Sequence, residues 1–151
     1  MNRSASFAVA LVATALFGCQ GGVPESAVKA IPPDGFAMGA TPATDIRVYD
    51  VDTTHVFRNT VENCDVHVYF AEGGVQRGES YCSGKRYTST GQWTIADDGT
   101  HCSDWDNPDW KGGCVNWVHQ GDDFFTWEKK SGDFEQLKGE TQVYQGNIFN
   151  L

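Results

Sequence analysis

Between Cys64 and Phe70 the chain alternates. Cys64, Val66, Val68 and Phe70 are apolar, and Asp65, His67 and Tyr69 stand between them. A period of two marks a strand with one buried face. The loop Glu72–Gly73–Gly74 follows, and three residues of this kind suit a type I turn with a glycine bulge. The register set by that turn places Cys64 opposite Cys82, His67 opposite Glu79 and Tyr69 opposite Arg77. Cysteines at facing positions lie within reach of a disulfide.

The same rhythm continues downstream. Turn signals such as Ser83–Gly84, Asp97–Asp98–Gly99, Asn107–Pro108, Gly121–Asp122, Ser131–Gly132 and Gly146–Asn147 separate short runs of Val, Ile, Tyr, Phe, Trp and Thr. Spacing of about eight to twelve residues between turns predicts an all-β fold. The expected architecture is an antiparallel meander over 45–151, forming a small barrel or sandwich.

Two segments precede it. Ala5 to Phe17 is almost wholly apolar after a short cationic start at Arg3. This is shorter than the roughly 20 residues of a spanning helix and fits the core of a secretory signal peptide over 1–18. Leu16–Phe17–Gly18–Cys19 resembles the bacterial lipobox, although Phe17 is bulkier than usual at its position. The resemblance implies that Cys19 carries diacylglycerol and becomes the first mature residue. Two acyl chains meet the requirement for stable membrane attachment. Gln20, where an aspartate signals inner-membrane retention, then implies the outer membrane of a Gram-negative envelope. Residues 19–44 hold Gly21–Gly22, Pro24 and Pro32–Pro33 and read as a flexible tether, in which Glu25–Ile31 is long enough for a helical turn or two.

Cysteine usage agrees with export. Removing Cys19 from the five cysteines leaves Cys64, Cys82, Cys102 and Cys114. An even set in an oxidising compartment predicts disulfides, with three connectivities open. A Cys102–Cys114 bridge would staple the base of the wide loop between them.

Charge narrows the partners. Eleven Lys and Arg stand against 20 Asp and Glu, a net charge of −9. A binder of nucleic acid needs clustered cations, so that class is excluded as an expectation. A basic protein is the complementary partner.

Catalytic and metal signatures are weak. His101–Cys102, Cys114 and His119 match no zinc-finger spacing. Asp104–Trp105–Asp106–Asn107–Pro108–Asp109 alternates oxygen ligands but lacks the glycine and distal glutamate of a calcium loop. His67 with Asp65 or Glu79 makes at most a dyad, and a satisfied surface histidine is the simpler reading. No nucleophile elbow, P-loop or H-E-x-x-H occurs. The expectation is no enzyme, no cofactor and no metal.

Two binding chemistries remain. Five tryptophans fall between positions 93 and 127. Trp93, Trp117 and Trp127 are expected inside. Trp105 and Trp110, in the wide loop, are the ones expected to stand exposed and stack on a cell-envelope glycan. The other is the turn Ser83–Gly84–Lys85–Arg86–Tyr87, which fits S-G-x-[KR]-Y. It resembles the motif of the membrane-bound inhibitors of c-type lysozyme, small acidic β-barrel lipoproteins. The resemblance gives Ser83 the role of the serine that enters the lysozyme cleft; Lys85 and Tyr87 complete the candidate motif, and the family's second contact finds no place in this sequence. The W-x-K-G-D continuation of that family is absent, and Trp93–Thr94–Ile95–Ala96–Asp97 stands there instead.

A broader likeness covers about Asn59 to Asn147. Val68–Tyr69–Phe70, Gly91–Gln92–Trp93, Gly99–Thr100–His101–Cys102 with Trp105, and then Cys114, follow the order of a proteobacterial domain-of-unknown-function family of small exported β proteins. It implies a compact β fold with a Cys102–Cys114 pairing and supplies no activity. The whole reads as a lipid-anchored envelope protein with a non-catalytic binding or envelope-associated role.

Overall fold

The structure, a computed structural model, describes residues 22–30, 50–97, 99–120, 123–130 and 133–151, with the side chains of 116–140 left aside. The signal segment, Cys19, Gln20 and residues 31–49 lie outside the described residues, as do the side chains of Trp117, His119 and Trp127.

Eight strands follow one another: β1 (Thr53–Asn59), β2 (Cys64–Phe70), β3 (Val75–Cys82), β4 (Lys85–Ile95), β5 (His101–Trp105), β6 (Gly113–Gln120), β7 (Asp123–Lys130) and β8 (Asp133–Gln145). Each pairs antiparallel with the next, and β8 returns to β1, so the meander closes as a barrel. Closure leaves no open sheet edge along most of the wall. Eight strands enclose an interior just wide enough to be filled by side chains or to hold one small ligand.

The β2–β3 hairpin has the expected register, with Cys64 facing Cys82, His67 facing Glu79 and Tyr69 facing Arg77. Gly73 and Gly74 both have positive φ there, which glycine adopts without a Cβ penalty. The disulfides are Cys64–Cys82 and Cys102–Cys114. They fit an oxidising, non-cytoplasmic compartment. The second lies in the β5–β6 ladder, which has only three residue pairs, so the bridge closes the shortest joint in the wall.

Even-numbered residues of β2 face inward. Cys64, Val66, Val68 and Phe70 form the core with Trp93 of β4. On the other face the chain ends as a strap. After Gly146, Asn147 closes a loop by accepting from the Leu151 N–H and donating to its carbonyl. Phe149 then lies flat on His67, ring centroids 3.9 Å apart. His67, expected at the surface, is therefore only 2% exposed. It pairs with Glu79 at 2.9 Å, whose second oxygen takes Arg86 at 2.7 Å. Burial alone would raise the Glu79 pKa, but hydrogen bonds from His67 and Arg86 hold it below the ordinary value.

Part of the expected tether is fastened to the barrel. A turn at Pro24–Ala27 replaces the helix considered for this stretch, and an isolated helix so short would be marginal. The Ala30 N–H then donates to Val143 and Gln145 donates to Val28. This pairing covers the stretch of β8 beyond the last residue paired with β7.

Candidate functional site at the mouth of the barrel

The two ends of the barrel differ. The end near Asp50 is filled by a polar network and forms a floor. The end carrying the β1–β2, β3–β4 and β5–β6 connections is open and forms a mouth.

The floor is built on Asp50, 1% exposed. One oxygen meets His101 Nδ1 at 2.9 Å and the other meets His55 Nε2 at 3.2 Å. Burial by itself would push the Asp50 carboxyl up, but the two imidazoles win and bring it down from 3.8 to about 2. Phe70 stands edge-on between both imidazoles, and Trp93 stacks parallel to His101. The relay continues inward. His101 Nε2 meets Ser103 Oγ at 3.1 Å, Ser103 donates to Gln76 Oε1 at 2.9 Å, and Gln76 donates to the Asp104 carbonyl at 3.0 Å.

Asp50, His101 and Ser103 thus follow the order carboxylate, imidazole, hydroxyl. In a nucleophilic triad the serine proton points at the imidazole. Here it points at Gln76. Neither the mouth cavity nor the outer groove of ≈490 Å3 beside Arg77 and Thr88 is lined by Ser103. The relay satisfies buried polar groups, as a low-dielectric interior requires. Sequence reading missed it, because directly bonded members lie as much as 51 residues apart. The available signal was His55 within the strand run Thr53–Phe57.

The mouth gathers the residues expected to bind. Asp106 and Asn107 anchor the β5–β6 loop on β4: the Asp106 N–H donates to Thr90, and the Asn107 N–H to Ser89 Oγ. Asn107 Oδ1 then takes the Asp109 N–H and its carbonyl takes the Trp110 N–H. These oxygens close the loop; they do not form a cation ring. This turn folds Trp110 back into the barrel. Its ring lies over Gly78 so closely that a Cβ there would sit 2.5 Å from Cζ3. Trp105 packs beside it, centroids 4.6 Å apart. The expectation that Trp105 and Trp110 stand out in solvent is corrected: both are half-buried against the core. Trp93 is buried as expected.

Ser83, Lys85 and Tyr87 are placed differently. β4 pairs with β5 only over Gly91–Ile95, so its Lys85–Thr90 stretch runs on beyond that ladder, while β3 stays paired with β2 as far as Cys82. Cys64–Cys82 ties the end of the hairpin's β3 arm to β2, and Ser83–Gly84 makes its two-residue tip. Both tip residues have positive φ, as a type I′ turn requires. For serine that conformation costs about 1–2 kcal/mol. Ser83, Lys85 and Tyr87 are all exposed, Tyr87 by 46%. Arg86 is turned back to Glu79.

The zinc pattern is not assembled. Cys102 and Cys114 are joined to each other, and His101 faces Asp50. Among the described residues no group of three His, Cys, Asp or Glu side chains is placed to hold a metal ion. Comparison with protein-family models, with curated proteins and with solved structures finds no match to this chain.

Proposed function

We propose that this chain is a lipid-anchored bacterial envelope protein, held through Cys19 in the outer membrane, that binds a basic partner protein without catalysing a reaction. The observation that carries the reading is the β3–β4 hairpin. Its β3 arm is tied to β2 by the Cys64–Cys82 disulfide, its β4 arm runs on beyond the β5 ladder, and it exposes Ser83, Lys85 and Tyr87 together. A pre-organised tip loses little entropy on docking. The left-handed Ser83 is a strained residue at an exposed site, where such strain is commonly tied to function.

The partner is an enzyme of the c-type lysozyme kind. Net charge −9 steers a basic protein toward this one. Glycosidases work with two carboxylates in a cleft, and Lys85 supplies a cation to meet them while the Ser83 hydroxyl adds a hydrogen bond. A glycan platform has less support, because Trp105 and Trp110 are half-buried against the core.

The test is calorimetric titration of the chain from Gln20 onward, which keeps every described residue, against c-type lysozyme. Salt of about 150 mM screens long-range attraction. Saturable binding that weakens at least tenfold in both Ser83→Ala and Lys85→Ala is expected. No heat, or heat that vanishes as salt is raised, would reduce the motif to a turn.

A further inference from the structure

The hairpin leaves the opening beside it unexplained. Between β1, β2 and the inturned loop lies a cup of ≈340 Å3. Phe57, Val66 and Val68 line it from the strands, Trp105 and Trp110 from the opposite side, and Ser80 from β3. Small-molecule sites have volumes of about 300–1,000 Å3, apolar walls and few polar groups. This cup is at the lower end of that range, room for one chain or ring and too little for a two-tailed lipid. Barrel mouths are a recurrent place for such sites.

The rim says what kind of ligand fits. Val61, in the β1–β2 connection, is 87% exposed and borders the cup. A large apolar side chain held in water there extends the apolar wall outward. Glu62 and Asp109 border it too, and among the described lining residues Lys111 is the one cation. The described rim is thus net negative, as is the protein as a whole. An anionic head would be repelled at the point where it has to sit.

We propose that the cup between Phe57, Val66, Val68, Trp105 and Trp110 binds the alkyl chain of a single-chain amphiphile whose head is uncharged or cationic. The chain displaces water from the apolar walls, and the head rests between Glu62 and Asp109. This site is independent of the hairpin contact, since Ser83, Lys85 and Tyr87 do not line it.

The experiment uses the chain from Gln20 onward, prepared without detergent, and the uncharged fluorophore N-phenyl-1-naphthylamine as probe. Saturable enhancement of its emission is expected. Dodecyltrimethylammonium, below its micelle concentration, should displace it at about one tenth of the concentration needed for dodecyl sulfate. The double variant E62K/D109K changes only exposed rim residues and should reverse that order. Ser80→Phe, which fills the cup from its wall, should weaken probe binding at least tenfold. Unsaturable enhancement, equal displacement by both heads, or an order unchanged in E62K/D109K would overturn the proposal. Should Ser80→Phe fail to fold, the rim variant still decides it.

Discussion

Replacing Asp50 by asparagine removes one charge and almost no volume, so it isolates what the carboxylate contributes to the floor of the barrel. Asp50 is fully buried between His101 and His55. Its pKa falls from 3.8 to about 2 on folding. At about 1.4 kcal/mol per pH unit, that drop stabilises the fold by about 2 kcal/mol. The folded value is the lower one, so the stabilisation is complete above about pH 4 and is lost as pH falls through 2. Asparagine has no proton to lose and lacks the contribution at every pH. Removing one member of a buried pair costs about 3–5 kcal/mol in general, so at pH 7 Asp50→Asn should destabilise by about 2–5 kcal/mol. Urea unfolding with the disulfides intact measures this. A slope of about 1.5 kcal/mol per molar makes the smaller figure a midpoint drop of roughly 1.3 M. Trp93, stacked on His101, reports the site by fluorescence. The gap between the two proteins should shrink by about 1.5 kcal/mol between pH 7 and pH 2.5. Coincident midpoints at pH 7, or a gap that stays constant into acid, would refute the reasoning.

Gly78→Ala places a methyl group 2.5 Å from the Trp110 ring. The clash should cost about 1–3 kcal/mol and turn Trp110 outward. A lower urea midpoint and red-shifted tryptophan emission are expected, and an unchanged spectrum would count against the inturned loop. The double variant C102S/C114S should lose about 3 kcal/mol. Because only three residue pairs join β5 to β6, amide exchange at His101–Ser103 should accelerate before exchange elsewhere in the barrel; uniform acceleration would contradict a local joint.

The parts legible in the sequence are those fixed by neighbours in the chain. The β2–β3 register follows from seven alternating residues and two glycines in one turn, and it brings Cys64 to Cys82 unaided. What stayed hidden depends on distant partners. Asn107–Pro108–Asp109–Trp110–Lys111–Gly112 reads as a polar surface loop. Trp110 turns inward because Gly78, on another strand, leaves room for its ring. β1 reads poorly as amphipathic because its inward His55 is polar, and that becomes acceptable only beside Asp50. The burial of His67 depends on Phe149, 82 positions later. The apolar pair Ile148–Phe149 after the Gly146–Asn147 turn was its only local sign.

The short pairing of Val28–Ala30 with β8 gives the molecule a polarity. Val28 meets β8 at Gln145, the end of that strand farthest from the mouth, and the Pro24–Ala27 turn comes just before it. Whatever is joined ahead of Gly22 is therefore linked to the barrel through a stretch that is fastened at its closed end and not among the described residues that line the cup.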